Sequence, residues 1–433
     1  MPPAAKAAAS SSAAAPFADS SPSFSVLAAF AVSIALTAAA AAAPGLVPPN
    51  AHMLVLSLCI VHVGSHLSLC AAGGEAGGSE RVSAGEAAQL PLVALAGLSA
   101  LYAAFQFVSA AVLNVALRGY LAALGVAAVG ELLRPLVPAR LRAAARAGPQ
   151  LRLALPLLGR VRLTALDAAL YAAGAAVAAA YLRTGHWAAS NALGAAFAVQ
   201  GVARLSLGKY STAAALCGGL LVYDLVMVFY TPMMIDVATK VDAPIKLLFP
   251  TGEPDKFGRP GFSLLGLGDL VIPGLLLALL LRADATHALR GPAAAADAAA
   301  AAVVAAPKAR EAGAAAAAAA AADDDDDDDD GDGDDARAQA LVFTAFPKPL
   351  FMATWLAYAA GLVATIVVMH VFHHGQPALV YLVPATLLAS AAAACAAPGG
   401  WAALLAYDDE HFAAAVAPDE QALAAAGERK KEQ

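Results

Sequence analysis

Stretches of about 20 mostly apolar residues, the length a helix needs to cross the hydrocarbon core of a bilayer, recur along most of this chain. They fall at 53–71, 88–107, 110–130, 163–182, 187–206, 211–231, 262–281, 350–371 and 376–396. Nine such windows cannot be hidden in one soluble core, and the composition agrees: 60% of the residues are hydrophobic, 14% are charged and the mean hydropathy is +0.68. In lipid each segment must satisfy its own backbone polar groups, which leaves helices as the expected solution. The expected fold class is therefore all-α, a polytopic membrane protein with about nine transmembrane helices. Alanine supplies much of the apolarity, which blurs the helix ends by several residues.

Charge sets the orientation. Between the third and fourth windows stand arginines 134, 140, 142, 146, 152, 160 and 162, with no acid among them. By the positive-inside rule this loop is cytosolic, which puts the N-terminal side of the first window in the lumen or outside the cell and the C-terminus in the cytosol. The net charge of -7 comes largely from the run Asp323–Asp335; such a run repels itself and buries no apolar surface, so it reads as a solvated, disordered loop. The end of the chain, Lys430, Lys431, Glu432 and Gln433, has the form of a dilysine signal for retrieval to the endoplasmic reticulum.

The expected organisation is a targeting or additional hydrophobic segment over 1–50, N-terminal transmembrane helices with the Arg-rich loop over 51–210, and two acid-bearing helices over 211–282. An Ala/Asp-rich cytosolic loop over 283–347, the last two transmembrane helices over 348–400 and a cytosolic tail over 401–433 complete it. Cys59, Cys70, Cys217 and Cys395 lie in or beside apolar segments without CxxC spacing, as packing residues and not as a disulfide or zinc framework.

Two apolar windows carry an acid near their middle: Asp224 between "GGLLVY" and "LVMVFY", and Asp269 within "GFSLLGLGDLVIPGLLLALLL". A lone ionised carboxylate at the bilayer centre costs about 2.5–3.5 kcal/mol on insertion scales, so two on successive spans need a reason. If neighbouring spans bring them face to face, each raises the cost of ionising the other and the pair can share one proton. That is the state needed for aspartic-type hydrolysis, in which one carboxylate takes a proton from water while the other protonates the carbonyl oxygen. The acids alone are equally compatible with a proton-coupled transporter or channel.

The flanking residues shift that balance. Gly266 and Gly268, either side of Leu267, leave the backbone unshielded beside Asp269, open to a helix or a substrate strand. Tyr223 places a hydroxyl next to Asp224. Pro377 suits the first turn of a helix, so Gly375 and Gln376 before it are expected to be non-helical, with unpaired backbone near "QPAL" (Gln376, Pro377, Ala378, Leu379) able to hold an unwound peptide. The run "APIKLLFP", Ala243–Pro250, is expected to add a strand.

"YD" at Tyr223–Asp224, "GLGD" at Gly266–Asp269 and "QPAL" at Gln376–Leu379, in that order, resemble the motif triplet of the GxGD intramembrane aspartyl proteases, the presenilin and signal peptide peptidase group. The wording around them is similar to signal peptide peptidases more than to presenilins, strongly from about His186 to Pro384. The resemblance implies nine spans, catalytic Asp224 and Asp269, and a supporting Pro377–Ala378–Leu379 loop. It also implies cleavage of signal peptides and other type II-oriented membrane segments in the endoplasmic reticulum membrane, with no cofactor. The partners it implies are membrane-embedded peptides and the lipid bilayer, and it leaves room for a homo-oligomer. Two features depart from the family pattern. The N-terminal hydrophobic segment leaves a plastid destination open, and the Ala/Asp insertion is expected to lie away from the active site.

Other signals were weighed. His370, His373 and His374 lack a nearby acidic or thiol ligand for a metal, and His62 and His66 repeat the i, i+4 spacing with no partner that sequence names. No phosphate loop, Rossmann fingerprint or nucleic-acid-binding pattern occurs. A transporter would be expected to repeat its motif between halves, whereas all three motifs lie in the C-terminal half. An inactive substrate-binding homologue would be expected to have lost an acid or a motif glycine, and none is lost.

Overall fold

The computed structural model describes residues 24–43, 46–73, 80–137, 139–146, 148, 151–155, 159–231, 237, 240–254, 260–290, 346–372, 377–397 and 400–412. Gln376, His373, His374, the poly-Asp run and the dilysine end lie outside them. The helices are α1 (Phe24–Ala42), α2 (Pro49–Gly73), α3 (Ala84–Phe107), α4 (Ala110–Leu133), α5 (Ala139–Arg146), α6 (Ala165–Thr184), α7 (Trp187–Arg204) and α8 (Tyr210–Tyr230). They continue with α9 (Gly268–Arg290), α10 (Pro349–Phe372), α11 (Leu379–Ala396) and α12 (Gly400–Leu405). Three two-stranded pairings accompany them: β1 (Glu80–Arg81) runs parallel to β4 (Leu205–Ser206), β2 (Leu151–Leu155) pairs antiparallel with β3 (Gly159–Leu163), and β5 (Lys246–Pro254) pairs antiparallel with β6 (Pro260–Gly266).

The protein is a predominantly helical, polytopic membrane protein. Among the described residues, seven helices are long and apolar enough to cross a bilayer: α2, α3, α4, α6, α8, α10 and α11. This is fewer than the nine windows read from sequence. The two missing are α7, which carries Asn191 and Gln200 inside it, and α9, which carries Arg282, Asp284 and Arg290 in its second half.

Local chemistry sets several ends. Ser83 and Glu86 form a reciprocal capping box at the start of α3, as do Thr164 and Asp167 at the start of α6. Asp167 also accepts from Arg134 at 2.7 Å. Small residues let helices meet closely, as expected where lipid supplies no hydrophobic drive. A Cβ at Gly125 would stand 2.6 Å from Leu193, and one at Gly274 2.6 Å from Val202.

The interior has two main apolar clusters. One joins α2, α7, β5, α9 and α10 through residues such as Val61, Phe249, Leu277 and Phe351. The other joins α8, α9 and α11 through Leu216, Leu276 and Val383. Val271 of α9 touches both. At the far end of α9, Asp284 accepts from the backbone amides of Leu350 at 3.3 Å and Phe351 at 2.9 Å, capping α10 from a different helix.

One sequence expectation changes here. The window 262–281 was read as one span with Asp269 at its middle; instead β6 occupies 260–266 and the helix begins at Gly268, so Asp269 lies in its first turn. Pairing of Lys246–Pro250 with Phe262–Gly266 holds that stretch extended. After residue 400, where a cytosolic tail is expected, Tyr407, Asp409 and Phe412 are buried, and Asp409 is bound by Arg282. The Arg-rich loop contains α5 and the β2–β3 hairpin.

Candidate active site

The strand expected over "APIKLLFP" is β5, and its pairing with β6 delivers the chain directly to Asp269. The hairpin buries Leu247, Phe249 and Leu265 and leaves Phe262 and Leu264 exposed, the alternation of a half-buried sheet. Its position is fixed from α7. The Asn191 amide donates to the Leu248 carbonyl and accepts from the Leu248 amide, both at 2.8 Å. One side chain thus takes the place of a neighbouring strand on the free edge of β5, and the outer edge of β6 is left open among the described residues. Lys246 donates to the Val241 carbonyl at 3.0 Å; burial pushes its ammonium below the usual range, opposed by the Asp242 charge.

Asp269 is half-buried in the first turn of α9, the favourable end of a helix for a negative charge. Gly266 lies beneath it, where a Cβ would stand 3.5 Å from Asp269 Oδ2, and a Cβ on Gly268 would meet nothing within 4 Å. The backbone at Gly268 is therefore open among the described residues. Leu267 is a packing residue: it donates to the Ile245 carbonyl at 3.2 Å and turns its side chain into the core beside Gly194.

Asp224 comes from the interior of α8 and is 6% exposed. Its Oδ2 has no hydrogen-bond partner among the described residues. Asp224 is the charged neighbour acting on Asp269, and the Leu379 backbone amide is directed at the Asp224 carboxylate. The α11 geometry explains this donor. Ala378 is already helical, the carbonyls of Pro377 and Ala378 accept from Val380, Tyr381 and Leu382, and the Leu379 N–H is one of the free donors at the helix start. Pro377, Ala378 and Leu379 are buried, with Ala378 in one apolar cluster and Leu379 in the other.

Four sequence-selected positions thus converge: Asp224, Asp269, Gly266 and Leu379. Tyr223 packs half-buried against the α8–α11 cluster, and no hydrogen bond of its hydroxyl occurs among the described residues. No group of three or more metal-ligating side chains occurs among the described residues. The sequence reading names neither Asn191 nor the Arg282–Asp409 pair. A polar residue inside a span was the available signal for Asn191.

Fold and site together define a class: a helical, multi-span membrane protein whose interior gathers two acids and a helix-start amide next to an open strand edge. The family model for signal peptide peptidase matches residues 75–409. Signal peptide peptidases of Mus musculus and Homo sapiens are each 29% identical over 346 residues, 77% of this chain, and 76% and 77% of those proteins respectively. An intramembrane protease 2 of Caenorhabditis elegans is 32% identical over 208 residues, 47% of this chain and 34% of that protein. No solved structure matches. The chain belongs to the signal peptide peptidase family.

Proposed function

We propose that this protein is an intramembrane aspartyl protease in which Asp224 and Asp269 activate water to hydrolyse peptide bonds within signal peptides and type II-oriented transmembrane segments. The observation that carries the reading is the approach of two acids from different helices, one of them with a buried oxygen that no described group satisfies. One carboxylate takes a proton from water as its oxygen adds to the peptide carbonyl carbon, while the other, protonated, donates to the carbonyl oxygen. Collapse of the tetrahedral intermediate breaks the C–N bond and the amine leaves with a proton. The Leu379 amide, a free donor at the start of α11, is suited to orient the Asp224 carboxylate.

A helical peptide shields its carbonyls, so the substrate must be extended where it is cut. The open edge of β6, with Phe262 and Leu264 exposed beside it, is suited to receive such a strand and lead it to Asp269. The Arg-rich segment supports a nine-span arrangement with the C-terminus in the cytosol, and the dilysine end supports the endoplasmic reticulum membrane as its location.

The test is cleavage of a detergent-solubilised signal peptide by the purified chain, beside its Asp269→Ala form and with an aspartyl-protease transition-state analogue. Cleavage by the wild type alone, blocked by the analogue, is expected. Binding without cleavage would overturn the assignment and favour a carrier or retention role.

A further inference from the structure

Five buried polar atoms on α2 and α10 have no hydrogen-bond partner among the described residues: His62 Nε2, Ser65 Oγ, Thr354 Oγ1, Trp355 Nε1 and Tyr358 OH. Ser65, Thr354 and Tyr358 are 0% exposed. The two helices face each other here. The His62 ring lies 5.9 Å from Phe351 and 6.1 Å from Trp355, centroid to centroid, and His66 lies 5.3 Å from Phe351. Thr354 and Tyr358 are one turn apart on the same face of α10, about 6 Å along its axis.

Both ends of this seam are polar. At one end Lys348 Nζ is 2.9 Å from His66 Nε2, and Asp284 caps the first turn of α10. At the other, Tyr358 belongs to the same buried cluster as Leu270, the residue that follows Asp269 in the first turn of α9. A buried polar atom without a partner is costly and rare, and several on two packed helices in a membrane interior call for a shared partner. The atoms are two alcohols, a phenol, an indole N–H and an imidazole nitrogen. Together they offer donors and acceptors with no formal charge, a set that matches water and neither a metal cation nor an anion. Hydrolysis consumes one water for each bond cut, and the surrounding bilayer supplies none.

We propose that the α2–α10 seam is a hydrated path that brings water from the His66–Lys348–Asp284 end to Asp269. The inference rests on the proteolytic reading for its purpose, but the hydration itself is tested without it.

Hydroxyl-radical footprinting of the full chain in micelles reads hydration directly, since radicals formed on ordered internal water oxidise the side chains beside it. Tyr358 is expected to be oxidised well above Tyr210, which is 2% exposed and bonded to Ser390 at 2.8 Å. Oxidation no greater than that of Tyr210 overturns the path whether or not the protein cleaves peptides. The companion variants are Tyr358→Phe and Thr354→Val, which keep the shape and remove one hydroxyl each. Loss of water positioning is expected to lower kcat about tenfold in each with KM unchanged. A dry orphan hydroxyl predicts the reverse, a higher Tm and an unchanged kcat, because its removal relieves a desolvation cost. Oxidised Tyr358 with an unchanged kcat overturns delivery to Asp269. A wild type that is oxidised at Tyr358 yet cuts nothing refutes the protease and keeps the hydrated seam.

Discussion

Two acid centres are anchored on α9 and are built in opposite ways. Around Asp409, which is 3% exposed, every oxygen is answered: Arg282 donates from Nε at 3.1 Å and from Nη2 at 2.9 Å, Tyr407 donates at 3.1 Å, and the Ser206 hydroxyl donates as well. Burial and then the Asp409 charge push the Tyr407 phenol well above its usual range, which keeps it a donor. Around Asp224, equally buried, one oxygen is answered by nothing described. The first arrangement ties down both oxygens of its acid; the second leaves one oxygen of its acid open among the described residues. The buried ion pair joins chain segments, with Arg282 Nη1 alone lacking a partner among the described residues, whereas the acid left open is the one we propose to be reactive.

The sharpest way to break this contrast is to neutralise each centre in turn. Asp224→Asn and Asp269→Asn are expected to lower the cleavage rate by about 10²–10⁴-fold and to leave thermal unfolding in micelles near that of the wild type. Asp409→Asn is expected to do the reverse. It strips Arg282 of its counter-charge, costing about 3–5 kcal/mol of stability, while the rate per folded molecule persists. Replacing both Arg282 and Asp409 by apolar residues of similar volume should recover much of that loss, and failure to recover would mean that the pair does more than join the tail to α9.

Smaller changes probe the scaffold between the centres. Asn191→Ala removes both hydrogen bonds that align β5, and the expected outcome is a KM raised about tenfold with kcat changed less. An unchanged KM would separate the hairpin from substrate binding. The mildest test concerns Lys348, just outside α10. Burial pushes its ammonium down to about 8 from 10.5, with the Asp284 charge opposing. Between those values the unfolded chain holds a proton that the folded chain does not, so stability is expected to rise with pH from about 8 to about 10.5. Thermal unfolding of Lys348→Met across that range should lack this component of the slope.

The motif residues were legible because each is a local anomaly: an acid in an apolar run, glycines flanking an acid, a proline opening a helix. Asp269 at mid-span was misplaced because apolar alternation in "GFSLLG" counts towards a membrane window as readily as towards a strand, and only pairing with a segment some twenty residues earlier decides between them. The Arg282–Asp409 pair was invisible for a related reason. Its members are 127 positions apart, and neither has a local feature that names the other. His66 and Lys348 were visible as residues but not as neighbours, since 282 positions separate them.

The cap that Asp284 places on α10 has a further consequence for how this chain can be cut. Leu350 and Phe351 are held against α9 by side-chain-to-backbone bonds. Docking of α10 on α9 is then expected to survive a break in the covalent run through 291–345. Two separately made pieces that meet there should find the same register, and lengthening or trimming the run should change little beyond the slowly varying entropy of closing a loop.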